Sequence, residues 1–196
     1  MIILVRHGQT AANADGRLLG RVDLSLTPLG RRQAASVGAA LAGASVARLV
    51  TSPLARCRET VEALGLALPA EVDDRWIELD YGEYDGRPLG SVPTEVWARW
   101  RVEPGWAPAG GESLSAVAGR VREACGELAD RSDADQDVVV VSHVSPIKAA
   151  VAWAVGAGDD APWRMFLDVA AISRIAVGPL GPSLRSFNET AHLAGL

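Results

Sequence analysis

With 196 residues, 48% of them hydrophobic and 22% charged, the chain is sized for one well-buried domain of ordinary soluble composition. A net charge of −5 argues against general binding to nucleic acid or to an anionic membrane, yet leaves room for a small basic pocket. The most apolar stretch, Val138 to Ala157, is broken by Ser142, His143, Pro146 and Lys148 and does not read as a membrane span.

In chain order, the first expected element is a strand at Ile2–Val5. Met1 leads straight into it, so no secretory leader is expected. The strand stops at Arg6-His7-Gly8, which delivers a cation, an imidazole and a glycine to the carboxyl edge of a sheet, where open α/β sheets bind ligands. Arginine suits a bidentate grip on phosphate, histidine is a nucleophile, and glycine lets backbone approach a ligand. A core strand followed by a solvated turn is the competing reading of this tripeptide taken alone.

Leu29 to Leu41 carries Gln33, Ala34, Val37, Ala40 and Leu41 at helical spacing, and Val46–Val50 reads as a second strand. A helix follows from Leu54 to Leu66, with Val61, Leu64 and Ala67 expected on its inner face. Its first turn holds Arg56. Helical side chains lean toward the amino terminus, so Arg56 would point back to the strand end and meet His7 if the two strands are neighbours. An ordinary surface arginine is the competing reading. Arg58 would face elsewhere.

Glu78, Asp80, Glu83 and Asp85 cluster in Trp76 to Gly86. Phosphoryl transfer from an oxygen ester needs a proton donor for the leaving group, and residue chemistry alone does not choose among these acids. Thr94–Arg101 is a short helix within a tryptophan-rich stretch (Trp76, Trp97, Trp100, Trp106) that would pack the helix onto the domain or stack on a substrate. Pro104 to Gly111 reads as a loop. Leu114, Val117, Ala118, Val121, Cys125 and Leu128 form another helical stripe.

Val138–Val141 is a valine run suited to a strand buried on both faces, and it leads into Ser142-His143. The chain has three histidines, and two of them stand where a strand hands over to a helix. The pair points to function more strongly than either does alone. The helix start after His143 offers free N–H groups to an anion. Ile172–Val177 and Leu184–Phe187 read as two last strands. Thr27-Pro28, Ser52-Pro53 and Ser145-Pro146 each look like a capping hydroxyl before a first-turn proline. The βα alternation predicts a largely parallel sheet with helices on both faces.

Cys57 and Cys125 sit in no metal or redox spacing, which fits a reduced, cytoplasmic setting. No phosphate-binding glycine-rich loop with lysine, no metal cluster and no nucleophile-elbow serine motif is present.

As an ordered set these residues resemble the histidine phosphatase superfamily, which contains the cofactor-dependent phosphoglycerate mutases. The likeness runs through Arg6-His7-Gly8-Gln9-Thr10 with Asn13. It continues through Gly20, Asp23, Leu26-Thr27, Gly30 and Gln33-Ala34, then Ser52-Pro53-Leu54-Ala55-Arg56 with Thr60. Asp74-Arg75 to Glu78, Tyr81-Gly82 and Gly86 follow, then Gly110-Gly111-Glu112-Ser113, Val141-Ser142-His143 and Asn188 to Leu193. Cys57 replaces the usual alanine, and Val144 the usual glycine.

The resemblance implies a three-layer α/β/α sandwich of the phosphoglycerate mutase type. It would be one domain over residues 1–196 with a small cap-like insertion at about 76–112. It implies a phosphomonoester hydrolase acting on a small phosphorylated metabolite, without cofactor or metal and without nucleic acid or membrane partners. His7 would be the phosphorylated nucleophile and Glu78 the proton donor, then the base. Arg6, Arg56 and His143 would hold phosphoryl oxygens. Gly8, Asn13, Gly20 and the Val144 backbone would line the phosphate pocket, with the Val144 side chain narrowing it. Arg17, Arg21 and Arg87 are candidates for a second anionic group on the substrate, with plain solvated arginines as the competing reading. A mutase is the alternative, less favoured because dedicated mutases carry a longer inserted segment. A non-catalytic scaffold is disfavoured because all the catalytic positions are filled. Oligomeric state is not readable.

Overall fold

Strand β1 (Ile2–Arg6) runs through the middle of the molecule, and its alternation explains why a continuous apolar run is required. Ile2 and Leu4 point into one buried cluster, Ile3 and Val5 into another on the opposite face. The computed structural model describes residues 1–130 and 136–196. In them a short first helix α1 (Ala11–Ala14) is followed by α2 (Pro28–Ala40), β2 (Val46–Thr51), α3 (Ala55–Leu64) and β3 (Ala70–Val72). Then come α4 (Thr94–Val102), α5 (Leu114–Asp130), β4 (Asp137–Ser142), α6 (Val144–Ala154), β5 (Ile172–Gly178) and β6 (Gly181–Glu189).

The sheet order is β3-β2-β4-β1-β5-β6. β1 with β4, β4 with β2, and β2 with β3 are parallel, while β5 joins β1, and β6 joins β5, antiparallel. This is the mostly parallel α/β sheet expected, with two antiparallel strands added at one edge. α5 and α6 cover one face, and α2 and α3 the other.

β1 and β2 are not neighbours: β4 lies between them. β3 has no counterpart among the predicted strands. Its three residues are mostly exposed, and Glu71 interrupts any apolar pattern.

The predicted caps divide. Thr27 Oγ1 accepts from Gly30 N at 3.0 Å and caps α2. α3 and α6 start with Leu54 and His143 as N-caps and have no side-chain cap bond, so Ser52 and Ser145 do not serve as expected. The α3 stripe is also different. Leu64 is buried and Val61 packs partly buried against the core as expected, whereas Ala67 lies beyond the helix and the other buried positions are Arg56, Cys57 and Thr60.

Between Trp76 and Glu112, α4 packs through Trp100 into a satellite cluster with Leu18 and Val92, against Trp97, Trp106 and Trp163. Trp100 contacts Tyr81, Tyr84, Trp97, Trp106 and Trp163 edge-on or tilted. No helix among the described residues is long and apolar enough to cross a membrane.

Candidate active site

Strand register builds the site. Arg6 pairs with Ser142 across the parallel β1–β4 ladder, so His7 and His143 leave the sheet at the same level. Their rings meet edge-on, with centroids 5.2 Å apart. Thr51 pairs with Val141, which brings Ser52 to that level from the other side. Side chains from β1 and β2 thus converge on β4, although the two strands never touch.

His7 Nδ1 lies 2.7 Å from the Gly8 carbonyl. A carbonyl only accepts, so Nδ1 carries the proton and the neutral ring keeps its Nε2 lone pair free. Burial, then the Arg56 and Arg6 guanidinium charges, hold His7 well below its ordinary value of 6.5. Arg6 Nη1 donates to the Leu167 carbonyl at 2.6 Å, while its Nε is buried without a partner. Burial pulls the Arg6 guanidinium down to about 10, so it remains charged at neutral pH.

Arg56 is fully buried. Its Nη2 and Nη1 donate to the carbonyls of Gly20 (2.7 Å) and Val22 (2.9 Å), and its Nε donates to His143 Nδ1 at 3.1 Å. With Nδ1 accepting, His143 carries its proton on Nε2 and donates it to Ser52 Oγ at 2.7 Å. Burial, then Arg56, keeps His143 well below 6.5 as well. Cys57 packs against the same ring, and burial pushes its thiol up to about 12, which keeps it protonated and inert.

Of the four clustered acids, Glu78 is the one placed on the cavity with His7 and Arg6. Its carboxylate accepts from Leu79 N (2.7 Å), Val144 N (3.1 Å) and Ser145 N (3.2 Å), at the start of α6. The anion expected at this helix terminus is therefore supplied by the protein itself, and the Val144 N–H is engaged with Glu78. The Glu78 carbonyl is gripped in turn by Arg21 Nε at 2.8 Å, and Arg21 and Arg120 share Glu112 at 3.2 and 2.9 Å. Asp85 accepts from the backbone N–H of Gly20, Arg21 and Val22, fixing the loop whose carbonyls hold Arg56.

A cavity of about 420 Å³ opens over these groups. Arg6, His7, Asn13, Glu78 and Val144 line it, as do Arg17, Tyr81, Phe166 and Asp168. Asn13 Oδ1 is tied back to Thr10 N at 3.0 Å in a capping box, which leaves its NH2 as the free end.

Arg56, His143, Gly8 and Gly20 stand behind the cavity wall. Gly8 is required by packing: a Cβ there would meet the Gly30 carbonyl at 2.3 Å, and its N–H donates to Thr60 Oγ1 at 3.1 Å. Gly20 supplies a carbonyl to Arg56 and has no room for a Cβ beside Leu79 O, at 2.6 Å. Of the three candidate second-anion arginines, Arg17 lines the cavity, Arg21 is committed to Glu78 and Glu112, and Arg87 lies over the Tyr84 ring. Among the described residues no tryptophan lines the cavity, so the aromatic stretch packs and does not stack on a ligand.

Sequence reading names Ser52, Thr60 and Asp85 but not their partners (His143, the Gly8 N–H and the Gly20–Val22 loop), and it does not find Asp168. Ser52 and Thr60 lie inside the quoted motif, but Asp168 has no local signal. A second cavity of about 270 Å³ between α5 and α6 is lined mainly by apolar side chains and contains no imidazole.

Two neutral buried histidines make stability pH-dependent. In the unfolded chain both take up a proton near pH 6.5, while the native rings do so only well below that value. The unfolded state therefore binds more protons in this window, and stability falls as pH drops below about 6.5. Each histidine contributes a slope of about 1.4 kcal/mol per pH unit there. Urea midpoints should be flat from pH 8 to 7 and fall between pH 6.5 and 5. A flat profile down to pH 5 would show that the rings titrate normally.

Residues 2–190 match the family model described as histidine phosphatase superfamily (branch 1). A bifunctional protein of Mycobacterium tuberculosis is 34% identical over 98% of this chain and 54% of its own length, so the chain spans about half of that relative. Phosphoserine phosphatase 1 of Hydrogenobacter thermophilus is 33% identical over 98% of this chain and 93% of that protein. The structure of mycobacterial glucosyl-3-phosphoglycerate phosphatase with VO3 superposes with a TM-score of 0.88 at 28% identity, covering 96% of this chain and 98% of that one. The match to the family model, with paired histidines at the ends of β1 and β4, places the chain in the histidine phosphatase superfamily, branch 1.

Proposed function

We propose that the chain is a phosphomonoester hydrolase for a small phosphorylated metabolite, working through a phosphohistidine on His7. One observation carries this reading: an imidazole with a free Nε2 stands beside an arginine whose buried Nε has no partner, in a cavity shared with a carboxylate. An orphan buried donor is costly unless an anion completes it, and a phosphoryl oxygen does so. The names of the relatives agree, since one acts on phosphoserine and another on glucosyl-3-phosphoglycerate.

In the first step His7 Nε2 attacks phosphorus in line, the P–O bond to the leaving group breaks, and protonated Glu78 gives its proton to the departing oxygen. In the second, water attacks the phosphohistidine, Glu78 takes its proton, and inorganic phosphate leaves with His7 neutral again. Arg6 stabilises the equatorial oxygens, the Asn13 NH2 adds a donor, and Arg56 contributes its charge from behind His143. These fixed cations supply the charge that a metal would otherwise bring. The buried free thiols fit a reducing compartment, and we place the activity in the cytoplasm.

The test is phosphate release from p-nitrophenyl phosphate in excess EDTA, with 3-phosphoglycerate offered as acceptor in parallel. Undiminished release and an acid-labile phosphoenzyme are expected. Activity lost to EDTA and restored by metal would overturn the metal-free step. Transfer to phosphoglycerate without phosphate release would favour the mutase alternative.

A further inference from the structure

We infer that Asp168 is a specificity-determining residue that accepts a hydrogen bond from a hydroxyl or ammonium group on the leaving group. The inference rests on the hydrolase reading above. A cavity of about 420 Å³ far exceeds what a phosphoryl group fills, and it falls in the range that holds a small metabolite. Its walls are not uniformly cationic. Asp168 shares them with Arg6, His7 and Glu78, and a second carboxylate in a phosphate site repels the ligand it serves.

Asp168 is held where it stands. Its N–H donates to Asn188 Oδ1 at 2.8 Å, and its Oδ2 accepts from Asn188 Nδ2 at 3.0 Å. Asn188 adopts a left-handed φ of 58° to make this clamp, and its own N–H donates to Ser173 Oγ at 3.2 Å. Ala170, two residues on, also has positive φ (55°), and it is pinned by its N–H to the His7 carbonyl at 3.0 Å and by His192 Nε2 to its own carbonyl at 2.9 Å. Ala170 in the left-handed region is strained, whereas Asn188 tolerates that conformation, and together they fix a short loop beside the nucleophile, an arrangement found where a side chain is pre-aimed at a ligand.

Charge balance for Arg6 is the competing explanation, since Asp168 favours the charged guanidinium. The geometry points elsewhere: Arg6 Nη1 goes to the Leu167 carbonyl, and the clamp leaves Oδ1 of Asp168 without a donor among the described residues. An ionised carboxylate oxygen on the cavity wall is an acceptor and never a donor. It suits a hydroxyl or ammonium and rejects a carboxylate. The exposed Phe166 ring on the same wall offers a flat apolar surface to the carbon skeleton.

The experiment compares kcat/KM for four esters of similar size: 2-aminoethyl phosphate, 2-hydroxyethyl phosphate, propyl phosphate and phosphoglycolate. The wild-type chain should favour the first two over propyl phosphate by about tenfold or more, with phosphoglycolate poorest. Asp168→Asn should collapse the aminoethyl-to-propyl ratio and raise phosphoglycolate relative to the others, and Asp168→Glu should restore part of the order. Similar wild-type values for all four esters would overturn the assignment whether or not a variant folds. So would an unchanged order in Asp168→Asn, or an equal loss on every ester. No phosphate from any of the four would overturn the assignment alone where p-nitrophenyl phosphate is still hydrolysed, and the hydrolase reading itself where it is not, which separates the two failures.

Discussion

His7→Ala should abolish turnover of phosphomonoesters, lowering kcat by on the order of 10⁴-fold or more, because among the described residues no other imidazole lines the cavity. Glu78 is bound by three N–H donors, and the Arg6 guanidinium is a donor only. Stability should change little. The His7 side chain makes one hydrogen bond, to the Gly8 carbonyl, and its loss costs about 1 kcal/mol. Phosphate binding should survive, since the Arg6 Nε orphan remains. The decisive measurements are single-turnover phosphate release, phosphoenzyme trapping by acid-free quench, and calorimetric binding of inorganic phosphate to the variant. Turnover at the wild-type rate would remove His7 as nucleophile. Lost binding together with lost turnover would mean that the imidazole had been holding the pocket open.

What the sequence reveals and what it hides divide along physical lines. The apolar runs of β1 and β4 are legible because a strand covered on both faces has to be apolar at every position. β3 is hidden because an exposed edge strand of three residues carries no such demand. The helix hydroxyls mislead for a chemical reason. Ser52 looks like a cap, but its oxygen is drawn away by the Nε2–H of His143, and the first N–H groups of α6 go to Glu78, a carboxylate from a distant segment. Local rules of helix capping fail where the site has taken over the same groups. The α3 stripe is only half legible: hydrophobic periodicity finds Leu64 and Val61, which pack against the core, but not the buried Arg56, Cys57 and Thr60. Asp168 is invisible because its meaning depends on Asn188, twenty residues away and reached only through the β5–β6 hairpin. The roles offered for His7 and Glu78 came from an ordered set of motifs, not from any one element. The structure adds to them the tautomer, the orphan donor and the capped carboxylate.

Arg56→Ala is the substitution expected to damage fold and chemistry together. Two effects oppose one another. Removing the side chain relieves a fully buried cation whose charged form burial disfavours, and Asp23, Asp85 and Glu78 support that charge only at a distance. Against this, it strips donors from the carbonyls of Gly20 and Val22 and from His143 Nδ1, and it leaves a cavity beneath the site. Each acceptor left dry costs about 1–3 kcal/mol, so the loss outweighs the relief and the chain should lose about 2–4 kcal/mol. The chemical consequence follows from the His143 bond. Without Arg56 Nε, only Ser52 Oγ, which can accept or donate, bears on the His143 tautomer, the ring loses one of its two anchors beside His7, and kcat should fall by about 10²–10³-fold. Arg56→Met separates the contributions, since it fills most of the volume without donors: it should recover part of the stability and none of the kcat. Arg56→Lys should also stay impaired, because one ammonium cannot reach three acceptors set in the plane of a fork. Urea unfolding and steady-state kinetics on the three variants decide it. Unchanged kinetics in Arg56→Ala would reduce Arg56 to a structural cation and leave Arg6 as the arginine that serves the phosphoryl group.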